Sequence, residues 1–383
     1  MKNIIWIVIV VVIIGGLVWW GTANDSTAPA AETGPVKIGV ITPSTGDAAV
    51  YAEPARRIIQ MAADEINAIG GVVDGRLIEL IFEDGKCIGQ DAANAAQKLI
   101  NVDGVEVILG GLCSSETLAV VPIAEAAKVA VLSFGASSPK LTGISPYFVR
   151  NYPSDSTQGS VLANIAYTDK GYKKIAFIQE QTDYALGINN AFTEVFTQLG
   201  GTIVANEQFP TETSDFRSIV SKVKALNPDA VFVDTQTPAV SARVLTQMKQ
   251  LGWKPKLLVA DIVPGDPKTV SENKDMLEGT LGAEFGVGTS NEKFNAMIAA
   301  YKAKFGEEPP YQGYAQTEYD SVYLVRDAIA AVGYDGTKVA EWLHTVKDWQ
   351  GAAGSVTIGA NGDPVTGHRA EVIMDGKVIP YVK

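Results

Sequence analysis

Residues 110–142 read GGLCSSETLAVVPIAEAAKVAVLSFGASSPKLT, and the reading of this stretch decides the rest. Just ahead of it, Val105-Glu106-Val107-Ile108-Leu109 is a β-branched apolar run that stops at Gly110-Gly111, as a buried parallel strand stops at its exit loop. Ser114 and Ser115 stand where a helix N-cap is wanted, before Leu118, Val121, Ile123 and Ala126-Ala127 at helical spacing. Residues 129–132 form the next strand, and Gly135-Ala136-Ser137-Ser138-Pro139 is its exit loop. In a parallel strand-helix-strand unit both exit loops fall on the carboxyl edge of the sheet, where open α/β sheets take their ligands. The hydroxyls of Ser114, Ser115, Ser137 and Ser138 are therefore expected to be neighbours. A helix N-terminus offers free N–H groups and the positive end of its dipole, so a small carboxylate fits there without a basic residue. The competing reading is that the serines only cap the helix.

The same alternation extends on both sides. Upstream, VKIGVIT at 36–42 is a first strand with the loop Pro43-Ser44-Thr45-Gly46-Asp47, followed by a helix over 52–69 that Gly70-Gly71 stops, a strand over 76–83 and a helix over 91–102. Downstream, Asn151-Tyr152-Pro153-Ser154-Asp155 breaks the pattern and a helix begins near Ser156, which we read as the passage into a second lobe. That lobe repeats the alternation: strands over 174–179, 202–208, 230–234 and 257–261, helices over 186–199, 215–226 and 238–251, and a last strand over 281–285. Helices follow over 291–305, 319–332 and 338–345, and residues 351–383 suit antiparallel strands turning at Asn361-Gly362-Asp363-Pro364 and at Asp375-Gly376.

At 383 residues the chain is too long for one ordinary core, so two domains are expected. A net charge of -12 argues against nucleic acid, which needs a basic face. Two histidines and two cysteines leave little material for metal sites or catalytic triads, and no cofactor or metal is expected. Lys2 precedes the unbroken apolar run from Ile4 to Trp20, which is about long enough to cross a bilayer and ends in an interfacial aromatic pair. Residues 1–21 are thus expected to be a transmembrane anchor, with a cleaved signal as the alternative; either way the rest is exported. Residues 22–35, rich in Ala, Thr, Ser and Pro, read as a flexible tether. Export makes a disulfide between Cys87 and Cys113 reasonable, since both follow predicted strands on the same sheet edge; free thiols and a metal site are the alternatives.

The residues Val36-Lys37-Ile38-Gly39, Thr45-Gly46, Ile66-Asn67-Ala68-Ile69-Gly70-Gly71-Val72-Val73-Asp74-Gly75, Phe82-Glu83-Asp84, Cys113-Ser114-Ser115 and Gly135-Ala136-Ser137-Ser138-Pro139 together resemble the type I periplasmic binding proteins of the leucine/isoleucine/valine ABC-transporter group. Tyr319-Asp320-Ser321, Trp349-Gln350-Gly351-Ala352-Ala353-Gly354 and Asp375-Gly376-Lys377 match that family's closing motifs, so the resemblance covers the chain beyond the tether. It implies an α/β fold of two Rossmann-like lobes with parallel-core sheets joined by a three-segment hinge, residues 36–154 with 286–350 forming the first lobe and 155–285 with 351–383 the second.

The resemblance also implies roles. Ser114 looks like the hydroxyl-and-amide anchor of a ligand carboxylate, with Ser115 beside it and with Ala136 and Ser137 as partners on the next loop. Tyr51 and Tyr184 resemble the aromatics that each lobe sets over the ligand, although Ala52 and Ala185 stand where glycine is usual. Asp261 falls where the family has an acid for the α-ammonium, and its place at the end of a predicted parallel strand supports that independently, because a buried carboxylate needs a cation. The alternative for Asp261 is an acid that caps the turn Val263-Pro264-Gly265, and for the two tyrosines it is ordinary loop aromatics. Gln236 and Thr237 replace the aromatics of leucine-binding relatives, which leaves room for a polar side chain.

The expected function is an extracytoplasmic solute-binding protein that closes on a branched-chain or similar small amino acid and presents it to an ABC permease and its ATPase, acting as a monomer. A ligand-sensing ectodomain for amino acids, amides or small acids, working with a separate signalling partner, is the alternative. An exported hydrolase is disfavoured, because Ser114 and Cys113 lack a base in sequence reach: His344 and His368 both lie in the tail.

Overall fold

The computed structural model describes residues 34–383. The apolar run from Ile4 to Trp20 and nearly all of the tether lie outside the described residues; among those described, no helix is long and apolar enough to cross a membrane.

The chain opens with β1 (Val36–Thr42), β2 (Ile78–Asp84), β3 (Val107–Leu109), β4 (Ala130–Ser133) and β5 (Phe148–Arg150), which form one all-parallel sheet in the order β2-β1-β3-β4-β5. Strands buried on both faces read as continuous apolar runs, and Val107, Ile108 and Leu109 are all fully buried. Then β6 (Lys174–Glu180), β7 (Thr202–Phe209), β8 (Ala230–Asp234), β9 (Leu257–Val259) and β10 (Thr280–Glu284) build a second parallel array. A hairpin of β11 (Trp349–Gly351) and β12 (Gly354–Val356) follows, and β13 (Arg369–Met374) and β14 (Lys377–Pro380) add antiparallel to the edge of the second sheet, whose order is β14-β13-β10-β9-β8-β6-β7. Phe177 of β6 stacks on Phe232 of β8 with ring centroids 5.0 Å apart, and Phe192 closes edge-on over both.

Several elements differ from the sequence reading. Residues 148–150 are a strand, too short for periodicity to show, at the edge of the first sheet. The helix Asp183–Gln198 starts a turn earlier than expected because Thr182 caps it, its hydroxyl accepting from Ala185 N. The helix Gln312–Val332 starts seven residues earlier, entered through a left-handed Tyr311. The short helices Pro267–Glu272 and Lys274–Leu277 were not foreseen. In the tail, the turn at Asp375-Gly376 joins β13 to β14 as expected, and Asn361-Gly362-Asp363 turns the chain between Ile358 and Pro364, which pair antiparallel as a single bridge and not as extended strands. This turn docks on the first sheet, where Gly362 O accepts from Arg150 N at 2.9 Å and Asn361 O from Gly143 N at 2.8 Å. The preceding hairpin turns at Ala352-Ala353, whose amides are held by the buried Asp320 carboxylate at 2.6 and 2.8 Å.

Burial acts on acids in this fold, and its sign is testable. Glu318 lies inside the helix Gln312–Val332, and burial alone pushes its carboxyl up to about 8. A carboxyl raised in the folded state favours the proton-bound form, so its stabilising contribution is complete below the unfolded value and lost as pH climbs through the folded one. His368, pushed down to about 4 by burial, works in the opposite sense, but only below its unfolded range. Between pH 6.5 and 8.5 this one carboxyl should lower the unfolding free energy by about 2 kcal/mol, and Glu318→Gln should shrink the total slope by that amount, while the other raised acids, Glu116, Asp320 and Glu371 among them, keep theirs. Urea melts across this range check it; an unchanged slope in the variant refutes the assignment to Glu318.

Candidate functional site

Each sheet reverses its strand order once: the first between β1 and β3, the second between β6 and β8. The carboxyl ends of strands at such switch points are where exit loops splay apart and leave a crevice. Here the two crevices face each other. Tyr51, Leu112, Cys113, Ser114, Gly135 and Ser137 line the pocket from the first sheet's loops, and Tyr184, Gln236 and Ile262 line it from the second's, with Tyr314 from the long helix. Gly110 is required where β3 turns into its loop: at φ 107° a Cβ would stand 2.4 Å from Ile41 O.

The wall from the first sheet is built on the helix Ser114–Ala127. Its N-cap is Cys113, and Glu116 accepts from the amides of both Cys113 and Cys87 at 3.0 Å. Neither serine is therefore the cap, and that competing reading falls. Cys87 and Cys113 are joined as a disulfide, with Cα atoms 5.3 Å apart, which ties the loop after β2 to the start of this helix. Ser114 is buried and its Oγ accepts from Ser138 N at 3.1 Å. Ser137 is buried beside it, and its carbonyl accepts from Asp155 N at 2.8 Å. Ser115 does not line this pocket; its hydroxyl donates to Asp183 at 3.2 Å, across to the helix Asp183–Gln198. Ala136 is buried within its own loop, its amide donating to Ser133 Oγ at 3.1 Å and its carbonyl accepting from Arg150.

Asp261 does not itself line the pocket; acids lie behind the opposite wall, whose Tyr184 and Tyr314 cover them. Asp261 follows β9 and is 2% exposed. Its carboxylate accepts from three phenols: Tyr152 at 2.7 Å, Tyr314 at 3.1 Å, and Tyr184, which bonds the other oxygen. Asp155, fully buried at the start of the helix Asp155–Asn164, sits on the segment that crosses from the first sheet to the second, and its Oδ2 has no partner. Burial first, then the charge of Asp261, holds Asp155 well above the usual carboxylate range. Asp234, at the end of β8, is raised for the same kinds of reason by burial, Asp155, Glu180 and Asp261. The buried cation of this region, Arg150, is committed elsewhere: to Asp363 at 2.7 Å, to the carbonyls of Ala136 and Ser138, and to Thr142 Oγ1.

Tyr51 crosses the crevice, donating to Gln236 O at 3.1 Å and packing edge-on against Tyr311 and Tyr314. Gln236 lines the pocket, whereas Thr237 caps the helix Pro238–Gln250 and lines a neighbouring cavity. Asp155, Asp234, Tyr152 and Tyr314 were not singled out by sequence reasoning. The signal for Asp155 was present, an acid in the first turn of a helix that opens immediately after the chain leaves the first sheet. Of the two histidines, His368 is engaged away from Ser114, its Nδ1 pairing with Thr157 Oγ1 at 2.7 Å. The arrangement sets the hydroxyls of Ser114 and Ser137 on one side of the pocket and tyrosines backed by buried acids on the other.

Comparison with known proteins agrees with this geometry. Residues 35–371 match the family described as periplasmic binding protein. The Leu/Ile/Val-binding protein homolog 8 of Brucella suis is 26% identical over 361 residues, covering 89% of this chain and 88% of that protein. The crystal structure of the leucine-binding protein LivK from Thermotoga maritima superposes with a TM-score of 0.82 at 29% identity, covering 91% of this chain and 98% of that one. A solute-binding protein of an ABC transporter from Rhodopseudomonas palustris, in complex with 3,4-dihydroxybenzoic acid, superposes with a TM-score of 0.77 at 26% identity, covering 91% and 98%. With its two parallel-core α/β sheets and a binding crevice between their carboxyl edges, the chain belongs to the periplasmic binding protein family, as an extracytoplasmic solute-binding protein and not an enzyme.

Proposed function

We propose that this protein captures an α-amino acid between two closing lobes and delivers it to an ABC permease, while the apolar run from Ile4 to Trp20 anchors it to the membrane. The lobes are residues 36–154 with 286–350 and residues 155–285 with 351–383, and the crossing segments between them act as the hinge. In this reading the ligand carboxylate lies on Ser114, Ser137 and the start of the helix Ser114–Ala127, and the α-ammonium lies on Asp261 and Asp155. The observation that supports the reading is the fully buried Asp155 beside Asp261, one oxygen without a close hydrogen bond and the Ser137 hydroxyl favouring its charge. Buried carboxylates set so close together are stabilised by an added positive group. An aromatic acid, as bound by the Rhodopseudomonas relative, brings no such group.

A thermal-shift panel of the full-length protein against α-amino acids, the same acids lacking the amine, and benzoates tests the reading. An α-amino acid at a hundredfold over its dissociation constant should add about 2.7 kcal/mol of stability. Ser114→Ala should weaken binding by roughly tenfold, the worth of one hydrogen bond to a charged group. A response to benzoates or deaminated acids without a response to any α-amino acid sinks the proposal.

A further inference from the structure

Beyond Gln236 lies a second cavity of about 610 Å³, between the loops that follow β1 and β2 and those that follow β6, β7 and β8. Gln236 lines both this space and the pocket of Ser114, so the cavity begins where the α-carbon end of an amino acid leaves off. Its most buried lining group is Glu180, the last residue of β6, at 0% exposure. Glu180 Oε2 accepts from Gln236 N at 2.8 Å and Oε1 has no close hydrogen bond, the Thr211 hydroxyl and the Arg243 guanidinium being the groups that favour the carboxylate's charge. The cations at the cavity's rim already face acids. Lys86 lies 3.2 Å from Asp91, and Arg243 Nη2 lies 3.6 Å from Asp47, although Arg243 Nε has no partner. Deeper in the same sheet edge, both oxygens of the buried Asp234 are also unpartnered.

This surplus of buried acid is more than one α-ammonium can answer. An aliphatic side chain entering the cavity would shut Glu180 Oε1 away from water with only Thr211 and the Asp47-paired Arg243 to answer its charge, which is costly for a carboxylate. Resting on the amino-acid reading above, we propose that this cavity is the side-chain subsite and that Glu180 takes the terminal ammonium or guanidinium of a basic amino acid. Thr182, Thr211 and Gln236 supply the polar lining along which such a side chain runs.

Titration calorimetry of the full-length protein tests this with L-lysine, L-ornithine, L-arginine, L-leucine, L-glutamine, L-glutamate and L-alanine. A basic amino acid should bind at least tenfold more tightly than leucine or glutamine. Glu180→Gln, which keeps an acceptor for Gln236 N, should weaken it by about 10- to 100-fold, the range for a charge-assisted hydrogen bond. Alanine, too short to reach the cavity, should be unaffected by that change, and Glu180→Asp should retain the preference for basic ligands. Tighter binding of leucine, glutamine or glutamate overturns the subsite while leaving the amino-acid reading intact; glutamate would point to Arg243 instead. An equal loss for alanine and lysine in Glu180→Gln assigns Glu180 a structural role and also overturns it. Binding of benzoates with no binding of any α-amino acid removes the parent reading itself.

Discussion

Replacing Arg150 by methionine lowers the unfolding free energy by about 3 to 5 kcal/mol, the cost of breaking a buried ion pair from one side. Arg150 is among the largest fully buried side chains, and its guanidinium makes four hydrogen bonds: to Asp363, to the carbonyls of Ala136 and Ser138, and to Thr142 Oγ1. Methionine fills comparable volume but leaves Asp363, 13% exposed at its side chain, with Thr142 and Asn361 as its remaining side-chain partners. Two carbonyls of the loop that carries Ser137 also lose their donor. Chemical denaturation should show the loss directly, and calorimetry should show weaker ligand binding in whatever fraction stays folded, because that loop is no longer held. The double variant Arg150→Met with Asp363→Leu should recover part of the stability, since it removes the stranded charge. A single variant within 1 kcal/mol of the parent would mean that the loop and the tail turn are held by their backbone hydrogen bonds alone.

Asp261→Asn should weaken amino-acid binding by about a hundredfold or more, because truncating one side of a buried charge pair costs 2 to 5 kcal/mol. The ligand-free protein should nevertheless be at least as stable as the parent. Asp261 raises the carboxyls of Asp155, Asp234 and Glu284, so removing its charge relieves repulsion among buried acids. The amide oxygen still accepts from a tyrosine hydroxyl, and the phenols of Tyr152, Tyr184 and Tyr314 can turn to accept from the amide nitrogen. Lost affinity with retained stability is the signature of a charge kept for binding and against folding. Calorimetry paired with melting of the same samples reads both. Lost affinity accompanied by a large loss of stability would instead make Asp261 a structural anchor for the tyrosines.

The fold was legible because its signals are local. Buried parallel strands leave unbroken β-branched runs such as VKIGVIT, and glycines such as Gly70 and Gly306 stop the helices before them. What escaped depends on distant partners. Strand β5 has three residues and is defined by pairing with β4, not by its own pattern. Tyr314 could not be placed because its helix begins beyond a left-handed tyrosine, a conformation that composition does not announce. Ser114 and Ser115 looked like caps because serine is a common one, but the cap is Cys113, held by Glu116 three residues on and by the distant Cys87. Asn361-Gly362 carries a strong hairpin signature and does turn the chain, but its pairing stops at the single bridge between Ile358 and Pro364, and its other contacts go to Arg150 N and, through Asp363, to the Arg150 guanidinium. In the crevice, the first-sheet serines and Asp261 stood at strand ends that periodicity could locate. Asp155, Asp234 and Glu180 matter through their mutual closeness, which exists only once both sheets are formed.

The crevice is walled largely by loops that leave strands already anchored in their cores, and this separates cargo choice from architecture. Phe232 stays stacked on Phe177 whatever follows Asp234, so the Gln236-Thr237 segment is an exchangeable cassette, as is the Tyr184 turn. Ser114 is not, because a disulfide and a shared carboxylate bind its helix to a second loop. Divergence in such a receptor is thereby channelled: on the amino-acid reading proposed above, the Ser114 end that would grip what all amino acids share is locked, and the Gln236 end that would tell one from another is free to drift.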